Sequence, residues 1–210
     1  MSLLRTSRRK VFCVGRNKTG TTSLAEVFRD LGFSVGSQKK AERFVKDYSR
    51  GNWKPLIRHC RTAEVFQDAP FSWPYTWLIL HEHFPSAQFV LTTRDPEEWY
   101  ESVVRFHGKK FSRDGGVPTK EDLMAAEYNY KGMMWDFNRA IYKTPENDPY
   151  NKEEMIRNYE THNYSIRHFF KDRPNFIEID VSVDRDYLRL CDFLGREPVA
   201  NRFPHLNASK

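Results

Sequence analysis

The stretch from Val11 to Leu31 constrains this chain most. Val11-Phe-Cys-Val-Gly15 is a short apolar run ending in glycine, the pattern of a buried strand. Leu24, Val27, Phe28 and Leu31 then recur at helical spacing until Gly32, a natural stop. Between strand and helix lies the polar loop Gly15-Arg-Asn-Lys18-Thr-Gly20-Thr21-Thr22. In that position successive backbone N–H groups and the positive end of the helix dipole form a cradle for an anion, and glycine permits close approach. A plain turn would account for Gly15 and Gly20. It would not account for Lys18 or for the hydroxyls of Thr19, Thr21, Thr22 and Ser23.

Further strands separated by helices follow. Ala63–Asp68 reads as a second strand stopped by Pro70, Ala87–Thr93 as a third, and Asn175–Asp180 as a fourth. Helical patterns cover Trp73–Phe84, a segment opening at Asp95-Pro96, residues 151–171 and Asp184–Leu194, the last closed by Gly195. Residues 37–62 are weakly patterned and read as a helix plus a loop. Phe106–Pro118, with Gly115-Gly116 and several basic residues, reads as a mobile loop. Thr119-x-x-Asp122 then caps one long helix carrying Leu123, Ala126, Tyr130, Met133, Phe137 and Ile141. Strands alternating with helices pair in parallel through right-handed crossovers. The expected class is α/β, a three-layer, mostly parallel sheet flanked by helices, like that of P-loop nucleotide-triphosphatases.

Composition sets the limits. With 16 Phe, 10 Tyr and 5 Trp among 210 residues, the chain can bury a sizeable core, and a folded chain of this size hides roughly 70% of its unfolded surface. One domain over 1–210 is expected, with an insertion at about 106–150. No apolar stretch approaches the ~18 residues of a membrane span, and the charged opening Met1–Lys10 has no apolar signal region. Cys13, Cys60 and Cys191 are scattered and form no C-x-x-C, which fits a reducing, cytoplasmic setting and no zinc site. The net charge of +6 comes from Lys and Arg interleaved with acids, the only compact basic run being Arg8-Arg9-Lys10. That is a mixed surface rather than a nucleic-acid footprint, although a positive field favours an anionic ligand.

The loop departs from the nucleotide-triphosphatase pattern G-x-x-x-x-G-K-[ST], which needs lysine where this chain has Thr21. Lysine stands instead at position 18. A second motif follows the third strand: Arg94-Asp-Pro96, with Ser102 eight residues after the arginine. A guanidinium fork leaving a strand end and a hydroxyl two helical turns on can clamp one phosphate between them.

Together these motifs resemble those of sulfotransferases that use 3′-phosphoadenosine 5′-phosphosulfate (PAPS). Lys18-Thr-Gly-Thr-Thr-Ser-Leu24 is similar to the family's 5′-phosphosulfate loop, and Arg94-x-Pro96 with Ser102 to its 3′-phosphate motif. Tyr159-Glu-Thr-His162-Asn163, Phe169-Phe170, Phe193-Leu-Gly195 and Phe203–Asn207 also look like this family; segments 37–60 and 107–150 do not. The resemblance implies a sulfotransferase moving a sulfuryl group from PAPS to a hydroxyl or amine of a small-molecule or glycan acceptor, without a metal. The implied donor-binding residues are Arg16, Asn17, Lys18, Thr19, Gly20, Thr21, Thr22, Ser23, Arg94 and Ser102, with Lys18 also catalytic. The basic glycine loop and the Trp after Thr-Thr of small-molecule cytosolic sulfotransferases are missing, so the pattern is closer to carbohydrate-type and bacterial members.

The resembling families carry their general base, a His or a carboxylate, after the second strand. Here that segment offers Asp68, with His59 next and His81 further off. Asp68 could equally cap a helix beginning near Pro70. Each motif residue also has a purely structural reading: Arg94 paired with Glu97 or Glu98, Ser102 facing solvent, Phe169 and Phe170 in the core, His162 satisfied on its helix. His81-Glu-His83 places its imidazoles on different helix faces and reads as surface. Lys109, Lys110 and Arg113 near Phe106 and Phe111 suggest a lid over an acidic or glycan acceptor. Two rivals stand beside the sulfotransferase reading: a P-loop kinase with Asp68 on Mg²⁺, and a non-catalytic nucleotide- or polyanion-binding module.

Overall fold

A computed structural model describes residues 9–204; Arg8 of the opening basic run and the tail match from His205 to Asn207 lie outside the described residues. In chain order the elements are β1 (Val11–Cys13), α1 (Thr21–Asp30), α2 (Gln38–Ala41), α3 (Val45–Ser49), α4 (Lys54–His59), β2 (Val65–Phe66), α5 (Thr76–His83) and β3 (Gln88–Thr92). They continue with α6 (Pro96–Phe111), α7 (Lys120–Ala125), α8 (Met133–Ile141), α9 (Lys152–Phe170), β4 (Phe176–Ile179) and α10 (Asp184–Leu194).

The strands form one sheet in the order β2-β1-β3-β4, and every pairing is parallel. Side chains alternate across it, so both faces are buried. Phe12, Phe66, Phe89 and Leu91 point to one side, into a cluster with Leu56, Leu80 and Phe170 of α4, α5 and α9. Val11, Cys13, Val65 and Val90 point to the other, against Leu24 and Phe28 of α1 and Tyr187 and Leu190 of α10. This is the expected three-layer α/β architecture. A third cluster, built on Trp73, Trp99, Val103, Leu123, Met133, Phe137 and Tyr159, joins the segments between β2 and β4.

β1 lies between β2 and β3, so the chain reverses its direction of travel across the sheet beside β1. In open parallel sheets the crevice at such a reversal, outside the strands' C-terminal ends, is where ligands bind.

Several local expectations change. Residues 37–62 hold three short helices and a 3₁₀ turn rather than one helix. α6 runs on to Phe111, so the loop starts only at Ser112. Gly108 explains this: a Cβ there would stand 2.5 Å from the Gly116 carbonyl oxygen, and its absence lets the following loop pack back on the helix. The helix expected over 119–141 is two helices, because the chain turns between Ala126 and Gly132, whose φ of 81° is a left-handed value suited to glycine. The apolar periodicity runs through the break because Leu123 and Met133 enter the same cluster. The helix expected from Trp73 begins at Thr76. Asp68 therefore caps no helix; its backbone oxygen accepts from Ser72 N–H at 2.9 Å in the intervening turn. Among the described residues no helix is long and apolar enough to cross a membrane.

Candidate functional site

A cavity of about 980 Å³ opens over the C-terminal ends of β1 and β3, at the upper end of the usual range for small-ligand sites. Every residue of Arg16–Ser23 lines it, as do Asp68, Arg94 and Ser102. The sheet thus brings the loop after β1, the end of β2 and the start of α6 to one place. His59 and His81 are not in its lining. His59 lies edge-on between Phe44 and Phe66, and His81 against Phe89, Phe169 and Phe170. Neither imidazole shares the cavity wall that holds Asp68.

Two glycines set the loop. A Cβ on Gly15 would lie 2.2 Å from Thr92 Oγ1, so the chain can cross β3 closely only without a side chain there. Gly20 takes a φ of 90°, and a Cβ would lie 2.2 Å from Val181 Cγ2. Lys18 (φ 66°) and Asp68 (φ 57°) are also left-handed, although neither is glycine; such backbone persists only where surrounding contacts hold it. Trp99 Nε1 donates to the Asn17 carbonyl at 2.9 Å, and Thr19 Oγ1 donates to the Arg16 carbonyl at 2.6 Å.

The loop's side chains divide into two groups. Thr19 also shares a 2.6 Å hydrogen bond with Thr92 Oγ1, which leaves its backbone rather than its hydroxyl for a ligand. Arg16, expected to touch the donor, is 2% exposed and donates to the Ser72 carbonyl at 3.0 Å and to Asn158 Oδ1 at 2.6 Å. Its guanidinium is a brace, and burial lowers its pKa to about 10. Lys18 and Thr22 remain directed to the cavity or solvent. Burial lowers the Lys18 pKa against the pull of Asp68, with Arg105 and Arg94 lowering it further.

Asp68 accepts from Ala69 N–H at 2.8 Å and from Thr21 Oγ1 at 3.3 Å. Burial raises its pKa, while those two hydrogen bonds and Lys18 oppose the rise. A carboxylate so placed is a stronger base than an exposed one. Glu42, across the cavity, has its pKa raised mainly by burial and also by Asp68.

Arg94 sits just beyond β3, where Tyr159 pins its backbone: Arg94 N–H donates to the phenol oxygen and the phenol donates to the Arg94 carbonyl, each at 2.9 Å. Its side chain takes the structural alternative, pairing with Glu98 at 3.1 Å. The pair is surface-exposed and therefore weak. Ser102 is buried and faces the cavity rather than solvent. His162 Nε2 lies 2.8 Å from the Val14 carbonyl, a satisfied core histidine.

Residues that the motifs do not reveal complete the cavity. Arg105, Phe106, His107, Lys109 and Lys110 of α6 line it with Trp73, Tyr128, Phe137 and Tyr142. His107 Nδ1 lies 2.7 Å from the Tyr150 hydroxyl, and burial with Lys18 and Lys110 nearby lowers its pKa to about 3. Phe106, Lys109 and Lys110 belong to the expected basic lid, carried here by α6 rather than by a loop, whereas nothing in the sequence singles out Arg105 or His107. Arg113 of the expected basic lid instead pairs with Asp122 at 2.7 Å, outside this cavity. Among the described residues no group of three or more His, Cys, Asp and Glu side chains could hold a metal ion.

Comparisons with known proteins bear on this arrangement. No curated protein matches the chain. Among solved structures, a sulfotransferase from Alicyclobacillus acidocaldarius matches with a TM-score of 0.56 at 16% identity, covering 97% of this chain and 86% of that one; at that identity the likeness is one of fold. A family model described as a sulfotransferase domain matches residues 10–210. The chain belongs to the sulfotransferase domain family.

Proposed function

We propose that the chain transfers a sulfuryl group from PAPS to a hydroxyl or amine acceptor and releases adenosine 3′,5′-bisphosphate. The observation that carries this reading is the shared cavity: the loop Asn17–Ser23 and the pair Arg94 and Ser102 face the same space from neighbouring strand ends. A donor with one anionic group at its 5′ end and another at its 3′ position needs two such anion sites side by side.

In this reading the backbone N–H groups of the loop and Lys18 hold the phosphosulfate end and stabilise charge on the departing oxygen. Arg94, released from Glu98, and Ser102 hold the 3′-phosphate. Arg16 and Thr19 act through the loop's shape, by way of their protein partners. The acceptor occupies the aromatic side formed by Trp73, Tyr128 and Phe137, so residues of the 106–150 segment close over it. Asp68 takes the acceptor proton as the oxygen–sulfur bond forms and the bond from sulfur to the 5′-phosphate oxygen breaks, the electron pair leaving with the bisphosphate. PAPS supplies an activated sulfuryl group, which removes the need for a metal.

The deciding experiment is turnover of PAPS against a panel of phenols, amines, sugars and lipids, with adenosine 3′,5′-bisphosphate as the measured product. Bisphosphate released only with an acceptor supports the proposal. Tight bisphosphate binding without turnover on any acceptor would replace it with the non-catalytic module. Transfer from a nucleoside triphosphate with Mg²⁺ would replace it with the kinase.

A further inference from the structure

Lys18 reaches the cavity with its ammonium over the ring of Phe106, 4.1 Å from the centroid. That is well inside the reach of a cation–π contact. Among the described residues this ammonium forms no ion pair, and Asp68 attracts it only through space. Phe106 belongs to α6, one turn beyond Ser102 and on the same cavity-facing side. Its ring also carries Lys110, at 5.5 Å.

A ring face and a carboxylate hold an ammonium in different ways. The ring attracts through its quadrupole and leaves the cation with its full charge. A carboxylate would neutralise it. The carboxylate that attracts it is Asp68, and a Lys18–Asp68 ion pair would weaken both groups at once, since it would blunt the cation and make the base less basic.

We propose that Phe106 is a positioning residue for Lys18: its aromatic face holds the ammonium over the cavity and apart from Asp68, so that an incoming anion meets a free cation. The role of that cation rests on the sulfotransfer reading above; the hold itself does not. Because Phe106 shares α6 with Ser102, the helix that faces one anionic group of the donor also sets the lysine that faces the other.

The test begins with nuclear magnetic resonance on protein carrying ¹³C-labelled lysine. The Lys18 ε-methylene signal, identified by its loss in Lys18→Arg, should be shifted upfield by the ring. Phe106→Leu should return it to the ordinary lysine position, and Phe106→Trp should keep it shifted. Phe106 is 43% exposed, so both variants should fold, which thermal melting checks. In turnover, Phe106→Leu should lower kcat about five-fold, the scale of one such contact, and leave bisphosphate affinity within about two-fold. Phe106→Trp should restore kcat, and Phe106→Leu should have no further effect in a Lys18→Ala background. An unshifted Lys18 signal overturns the proposal. So do equal losses in the Leu and Trp variants, or independent effects of the two substitutions. If the wild type consumes no PAPS, the sulfotransfer reading fails, and the resonance position still decides whether Phe106 holds Lys18.

Discussion

Thr21 donates its hydroxyl to Asp68 across 3.3 Å, at the loop position where a nucleotide-triphosphatase carries the lysine that reaches its phosphates. The hydrogen bond joins the start of α1 to the end of β2 and fixes a carboxylate at the cavity wall. A group held in this way can serve as a base.

Asp68→Asn is therefore expected to fold, to bind adenosine 3′,5′-bisphosphate normally, and to lose turnover by ~10²-fold or more. A variant retaining most of its activity would remove Asp68 from the proton transfer.

The same carboxyl affects stability with a definite sign. Burial raises its pKa above the ordinary aspartate value of 3.8, so the folded chain binds that proton more tightly than the unfolded chain. The stability contributed is complete below the ordinary value and is lost as pH rises through the raised one. Asp68→Asn should melt at a higher temperature than wild type near neutral pH, with the gap closing as the solution is acidified towards the ordinary value. Parallel melting curves across that range would contradict the assigned shift.

Lys18→Ala should lower turnover by at least ~10²-fold, the scale for removing one preorganised group that meets developing charge. EDTA should leave wild-type activity unchanged, because Thr21 replaces the lysine of the Lys-Ser/Thr pair that serves magnesium in nucleotide-triphosphatases. Initial rates with and without chelator settle both points.

Arg94→Ala should weaken adenosine 3′,5′-bisphosphate far more than adenosine 5′-phosphate, by roughly 1.5–3 kcal/mol. Glu98→Gln, which frees Arg94 from its 3.1 Å partner, should tighten the bisphosphate by about 2–5-fold, the worth of an exposed pair. Calorimetry on both ligands tests the two variants together; equal losses for both ligands in Arg94→Ala would make Arg94 structural.

Asn158→Ala takes away one of the two acceptors of a buried guanidinium and should destabilise the chain by about 1–3 kcal/mol in urea. It should also weaken bisphosphate binding, although Asn158 lies outside the cavity lining. Unchanged affinity would mean that the loop keeps its shape without the brace.

The layers of the fold and the two cavity-lining motifs are legible in the sequence because they rest on local signals. Apolar runs, glycine stops and the spacing from Arg94 to Ser102 are all read within a few residues. Long-range contacts decided the rest. Gly108 looked like part of a loop until its approach to Gly116 made it helical. The partners of the Arg16 guanidinium, Ser72 and Asn158, are remote in sequence and leave no local signal. His107 was hidden because its helix had been read as loop, whereas Asp68 stood out as a carboxylate directly after a strand.

The Arg16 brace also bears on how such a chain can diverge. One side chain fastens the loop after β1 to the turn before α5 and to α9, across 142 residues of sequence in the second case. Ser72 contributes only its carbonyl, so many residues can stand at that position. Asn158 contributes its side chain, and position 158 has little such freedom. Tyr128 and Phe137 have no part in the brace, and substitutions there can recast the acceptor end while the loop keeps its shape. Relatives with new acceptors and the old donor would then differ first on α8 and the turn before it, and last at Arg16 and its side-chain partner on α9.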